Sequence, residues 1–159
     1  MAVRWMSAAE AREFLAAGTE GRLATSNTGG QPYITPVNYV YHEGKICFHC
    51  SKTGRKLDNI AANPLVCFEV SGDVRTSVSN GHPCDCSTRY SSLLAFGRAR
   101  LVAGELEKAE LLNRLVAHLA DGKPFQPVTV EQAATCAVVE IELEEISGKV
   151  NYEPAASQV

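Results

Sequence analysis

Between residues 22 and 50 the chain reverses direction twice in short polar turns, and that constrains its fold more than any other feature. Residues 22–26 read as a strand and end at Asn27-Thr28-Gly29-Gly30, a dense turn signal. Residues 32–41 are rich in Tyr, Val, Ile and Thr, which suit a pleated, half-buried surface. His42-Glu43-Gly44 then supplies a tight reversal, and residues 45–50 form the return strand. Three successive strands joined by turns this short pair antiparallel, because parallel neighbours need a crossover of a dozen residues or more.

The flanking segments fit the same plan. Ser7 and Glu10 have capping-box spacing, Phe14 and Leu15 supply an apolar face, and Gly18 is a C-terminal stop, so a first helix is expected over 7–17. Thr53 is placed to cap a second helix over 54–62, with Leu57 and Ile60 on one face and Asn63-Pro64 ending it. Strands are expected at 65–70, 92–102 and 135–144, and an amphipathic helix at 105–120. The Leu106, Leu111, Leu112, Leu115 and Leu119 stripe of that helix reads as packing surface. Residues 71–88, with Gly72, Gly81 and Pro83, read as a long functional or mobile loop. No repeat or linker divides the chain, so residues 1–159 are expected to form one mainly β domain, an antiparallel barrel or sheet of about six strands with three attached helices.

Composition excludes several classes. A chain of 159 residues that is 45% hydrophobic and 21% charged can bury a core without disulfides or a structural metal. Its net charge of -3, with both signs interspersed, lacks the basic footprint of a nucleic-acid binder. There is no apolar run long enough for a membrane span and no signal-peptide pattern, so the expected location is the cytoplasm. Cys47, Cys50, Cys67 and Cys136 sit in apolar or alternating runs and read as small hydrophobes with free thiols. His82-Pro83-Cys84-Asp85-Cys86 crowds metal-ligand types together but lacks the second half of a zinc site, so no metal is assigned.

The chemistry is concentrated in K-I-C-F-H-C-S-K-T-G-R-K, residues 45–56. A strand ends at His49, Cys50 and Ser51, turns at Thr53-Gly54, and opens a helix with Arg55 and Lys56. Two cations in the first turn of a helix oppose its positive pole, and an anion bound there would reverse the sign of the interaction. Such an anion would meet backbone amides, a guanidinium fork and an ammonium, a combination suited to a phosphomonoester. By themselves, Arg55 and Lys56 are described equally well as solvated surface cations.

The ordered blocks G-R-L-A-T (21–25), Q-P-Y-I-T-P-V-N-Y-V-Y (31–41), F-H-C-S-K-T-G-R-K-L-D-N-I (48–60) and A-F-G-R-A (95–99) resemble the pyridoxamine 5'-phosphate oxidase-like superfamily, most closely its nitroimidazole-resistance (Nim-type) branch. The resemblance spans residues 7–102 and continues less specifically into the last strand. It implies a split β-barrel that dimerises and holds FMN between subunits. Arg55 and Lys56 match the basic pair that grips the FMN phosphate, with Ser51 adding a hydroxyl. Pro36, Val37, Asn38 and Tyr39 match the strand beside the isoalloxazine ring, which it contacts mainly through backbone. His49 and Cys50 match positions on the neighbouring strand, and Ser91 and Ser92 match a segment contributed by the other subunit. Pyridoxamine oxidases themselves carry arginine and glutamine where Ser91 and Ser92 stand, which argues against vitamin B6 as substrate.

The function this implies is an FMN-dependent oxidoreductase. It would be reduced by a donor such as NAD(P)H and would pass electrons to a small planar acceptor, a nitroaromatic or a quinone, with His49 on the substrate side as a proton donor or relay. His49 packed silently at the barrel mouth is the competing description. At the level of the whole protein, the alternatives are a flavin-binding sensor without turnover and relatives that carry haem or F420. No basic track beyond Arg55 and Lys56 suits the acidic tail of F420, and the region after His118 has no histidine for haem.

Overall fold

The two edges of the main sheet are consecutive in sequence, and this shapes the molecule. The computed structural model describes residues 3–77 and 87–151. Its elements run β1 (Arg4–Trp5), α1 (Ala8–Ala17), β2 (Glu20–Ser26), β3 (Pro32–Asn38), β4 (Val40–His42), β5 (Lys45–Cys50), α2 (Arg55–Ala62), β6 (Leu65–Ser77), β7 (Ser87–Leu101), α3 (Glu105–Ala120), α4 (Val130–Ala133) and β8 (Ala137–Val150). The strands are ordered β3-β2-β6-β7-β8-β5-β4, with β1 added on β8, and every pairing is antiparallel. The terminal strands β3 and β4 are joined by Tyr39 alone. The sheet therefore curls until its edges meet, without a hydrogen-bonded ladder joining them. That is a split barrel, a mainly β fold with small helices attached.

Local chemistry explains most boundaries. Ser7 and Glu10 form the expected capping box at α1, and α3 has the expected limits. Gly44 closes the β4–β5 turn at φ +81°, where a side chain is disfavoured. One core cluster fills the barrel around Leu23, Tyr39, Ile46, Phe48, Phe68 and Ile141. A second lies beneath α3 and α4 and includes Cys47, Leu112, Leu115 and Val138. β5 is covered on both faces, so Ile46, Cys47 and Phe48 are all buried in succession.

Several expectations require correction. The strand expected over 32–41 is broken at Tyr39, whose ring is fully buried and whose hydroxyl donates to the Leu15 carbonyl at 2.6 Å. Within the loop expected at 71–88, the described residues 71–77 and 87–88 belong to a ribbon, because β6 continues to Ser77 and β7 begins at Ser87. A bulge between Gly72 and Arg75, with Asp73 at φ +53°, absorbs the turn-like residues that suggested a loop. His82, Cys84 and Cys86 lie outside the described residues. β8 begins at Ala137 and runs six residues past Glu144, from 144 to Val150, since its solvent-facing glutamates do not end its ladder with β7. α2 is capped by Gly54 with no side-chain bond, so Thr53 is not its cap. Leu106 and Leu119 are exposed and do not pack with Leu112 and Leu115. β1 and α4 are additional elements.

Candidate functional site

The basic segment emerges at one end of the barrel, where β5 gives way to α2. β5 is held on β8 through pairs that include His49 with Val138 and Cys50 with Ala137. Side chains alternate along a strand, so His49 projects to the side of Cys47 and the α3 cluster, whereas Cys50 projects with Phe48 into the barrel core. His49 is exposed and Cys50 half-buried. Burial raises the Cys50 thiol pKa, and the Lys56 ammonium only partly offsets it. Lys56 thus lies close enough to the end of β5 to act on that thiol, and Ser51, next to Cys50, is exposed.

Arg55 is the first residue of α2, and its guanidinium lies 4.7 Å from the centroid of the Tyr33 ring on β3. No carboxylate pairs with Lys52, Arg55 or Lys56 among the described residues. The helix end is uncapped by any side chain, and Gly54, at φ +136°, has nothing within 4 Å of where a Cβ would stand. Cations without a carboxylate partner, a helix start without a side-chain cap and open space therefore coincide among the described residues. This combination favours a multiply charged oxyanion, and a phosphate fits it.

The strand expected beside the isoalloxazine ring is split by its own pleat. Tyr33, Thr35 and Val37 face inward and are half-buried, whereas Ile34, Pro36 and Asn38 face outward. Val37 packs against the barrel core. Asn38 donates through Nδ2 to the Thr19 carbonyl at 3.2 Å. Tyr39 is a core residue whose phenol pKa is pushed upward by burial. Any contact of Tyr39 with a ligand is therefore through backbone.

Ser91 and Ser92 stand apart from this cluster. The register places Ile34 level with Ala24, Cys67 and Phe96 across four strands. Ser91 and Ser92 lie five and four residues beyond Phe96, about 13–17 Å along β7 at roughly 3.3 Å per residue. Ser91 is buried, lining a 260 Å³ cavity with Arg4, Met6, Glu10, Glu13, Phe14 and Val150. The wider 490 Å³ cleft, between the end of α1 and the paired strands β2 and β6, is likewise lined by neither Arg55 nor Lys56. Within one chain the structure thus joins Arg55, Lys56, Cys50 and the inner face of β3, and it leaves the two serines separate. Sequence reasoning missed Tyr33. Its partner is 22 positions away, from 33 to 55, and no spacing rule links a strand aromatic to a helix-start arginine.

The sequence matches the family model described as pyridoxamine 5'-phosphate oxidase over residues 7–150. No curated protein matches the chain. Among solved structures, it is similar to a candidate 5-nitroimidazole antibiotic resistance protein from Bacteroides thetaiotaomicron, with a TM-score of 0.79 and 18% identity over 94% of this chain and 89% of that one. An FAD-binding protein from Mesorhizobium loti matches with a TM-score of 0.71 and 25% identity, covering 96% of this chain and all of the other, 100%. An FAD- and haem-binding protein from Mycobacterium smegmatis gives a TM-score of 0.81 and 18% identity over 94% and 74% of the two chains. No helix among the described residues is long and apolar enough to cross a membrane.

Proposed function

Since this chain belongs to the pyridoxamine 5'-phosphate oxidase family, we propose that it is a homodimeric FMN-dependent oxidoreductase that delivers electrons to a small planar acceptor such as a nitroaromatic or a quinone. The observation that carries this reading is the start of α2, which no side chain caps, where Arg55 and Lys56 have no carboxylate partner among the described residues and Gly54 opens onto free space. In this reading the two cations and the α2 amides hold the cofactor phosphate, with Ser51 adding a hydroxyl. The backbone of Pro36, Val37, Asn38 and Tyr39 runs beside the ring, with His49 and Cys50 at the neighbouring strand end. Bound flavin would supply the electron transfer between a donor such as NAD(P)H and the acceptor. His49, exposed at the end of β5, would hand a proton to the reduced acceptor.

Dimerisation is supported by the outer sheet face. Ile34, Leu94 and Phe96 are 63%, 40% and 41% exposed there, and the row Ile34–Ala24–Cys67–Phe96 crosses four strands. An apolar patch of this kind on a small protein favours a partner, and a second copy would cover it. The same copy would bring its own Ser91 and Ser92 to a site they do not reach within one chain.

The test is an absorption spectrum of the purified protein, followed by mass analysis of any chromophore released by acid. Oxidised-flavin bands with FMN in the supernatant are the expected result. FAD in the supernatant would correct the cofactor, a Soret band would replace flavin by haem, and a colourless protein that takes up no added FMN would end the oxidoreductase reading.

A further inference from the structure

We propose that Tyr33 is a positioning residue for phosphate recognition, acting through Arg55, an inference that rests on the cofactor reading above. Arg55 is exposed, begins a helix that no side chain caps, and has a long flexible stem. Its head lies over the Tyr33 ring, with the guanidinium carbon 4.7 Å from the ring centroid. Tyr33 is half-buried on the inner face of β3 and is paired in the ladder with Thr25, so its ring is a fixed platform.

The type of contact matters. A carboxylate partner would occupy the N–H fork of the guanidinium and cancel its charge. An aromatic face attracts the cation through its quadrupole and leaves the in-plane N–H donors available. Stacking thus orders Arg55 without consuming the groups that bind phosphate. Lys56 presents an ammonium whose donors rotate freely, so the geometric part of recognition falls to Arg55. The ring also joins β3 to α2, so the strand assigned to the isoalloxazine end also fixes the phosphate end.

The experiment compares dissociation constants for FMN and riboflavin by flavin fluorescence quenching in the wild type, Tyr33→Leu, Tyr33→Phe, Arg55→Ala and the Tyr33→Leu/Arg55→Ala double variant. Tyr33→Leu should weaken FMN about three- to tenfold, in line with loss of a cation–π contact and of the order it imposes, while riboflavin affinity stays within twofold. Tyr33→Phe keeps the aromatic face and should retain the FMN preference. In the Arg55→Ala background, Tyr33→Leu should cause no further loss, because the residue it positions is gone. Equal weakening of both ligands by Tyr33→Leu, or an undiminished second loss in the double variant, would show a merely structural role and overturn the inference. If Arg55→Ala selectively weakens FMN and Tyr33→Leu does not, the cofactor reading survives and this inference alone falls. A wild type that binds neither ligand, or an Arg55→Ala variant that weakens both equally, removes the phosphate reading and the role of Tyr33 with it.

Discussion

Replacing Glu140 by glutamine removes the charge at the centre of a cluster that ties β5, β7 and β8 together. Glu140 is 6% exposed. Its Oε1 accepts hydrogen bonds from Lys45 Nζ at 2.9 Å, Arg100 Nε at 3.1 Å and Arg100 Nη2 at 2.8 Å. Burial alone would raise its pKa, but the hydrogen bonds and charges of Lys45 and Arg100 prevail and hold it below the usual range. A hydrogen bond to a charged group contributes about 1.5–3 kcal/mol and a neutral one about 0.5–1.5 kcal/mol. Glutamine retains an acceptor oxygen and nearly the same volume, so each bond weakens by about 1 kcal/mol. Lys45 and Arg100 are 40% and 52% exposed in their side chains, so water recovers part of the loss and the three bonds do not add. The expected destabilisation is about 2 kcal/mol, or about 4–8 °C in Tm for a domain of this size. Urea unfolding followed by circular dichroism, at fixed protein concentration and several pH values, measures it. A carboxyl with a depressed folded pKa stabilises fully above its unfolded pKa of about 4.3. That stabilisation is lost as pH falls through the lower folded value. The gap between wild type and Glu140→Gln should therefore be constant from neutral pH to about 5 and should close in acid. A gap below about 0.5 kcal/mol at neutral pH, or one that persists undiminished in acid, would refute the reasoning.

Two further substitutions test packing near the sheet. Gly97→Ala should destabilise by about 1–3 kcal/mol, because a Cβ at this bulge would stand 3.0 Å from the Glu142 carbonyl carbon and 3.1 Å from Leu143 Cα, with the Glu142 oxygen nearer still. A thermal melt indistinguishable from wild type would contradict it. Thr35→Val should stabilise the protein by about 1 kcal/mol, since the Thr35 hydroxyl is buried without a hydrogen-bond partner among the described residues. A lowered melting temperature there would mean that the hydroxyl is satisfied.

Local signals read from the sequence survive where the deciding interactions are local. Ser7 and Glu10 sit three positions apart and satisfy each other's backbone, so the start of α1 is legible from two letters. The ribbon at 71–77 and 87–92 is the opposite case. Ser71, Gly72 and Asp73 are turn formers by any local rule. Ser71 and Gly72 are held in the ladder by their β7 partners Ser92 and Ser91, and Asp73, at φ +53°, keeps its turn conformation inside the bulge. The buried acid at 140 is hidden for a related reason. In the run Val138-Val139-Glu140-Ile141 a glutamate looks like the solvent-facing member of an alternating strand, but both faces of β8 are covered here. Only the distant cations at 45 and 100 make its burial tolerable.

The same distinction explains which part of the site was readable. The basic pair at 55 and 56 violates a local electrostatic preference at a helix start, and an unexplained violation is what marks a functional position in a sequence. Tyr33 violates nothing, since an aromatic residue near the start of a strand is ordinary. Its significance arises when the barrel curls and brings β3 beneath the start of α2. That curl depends on Tyr39, the single residue between the two sheet edges. Its ring packs edge-on against Phe68 at 5.0 Å, and its hydroxyl is bonded to the Leu15 carbonyl. A residue read as part of the cofactor strand thus acts through its side chain as the hinge of the barrel, and closure at that hinge is what sets Tyr33 beneath Arg55.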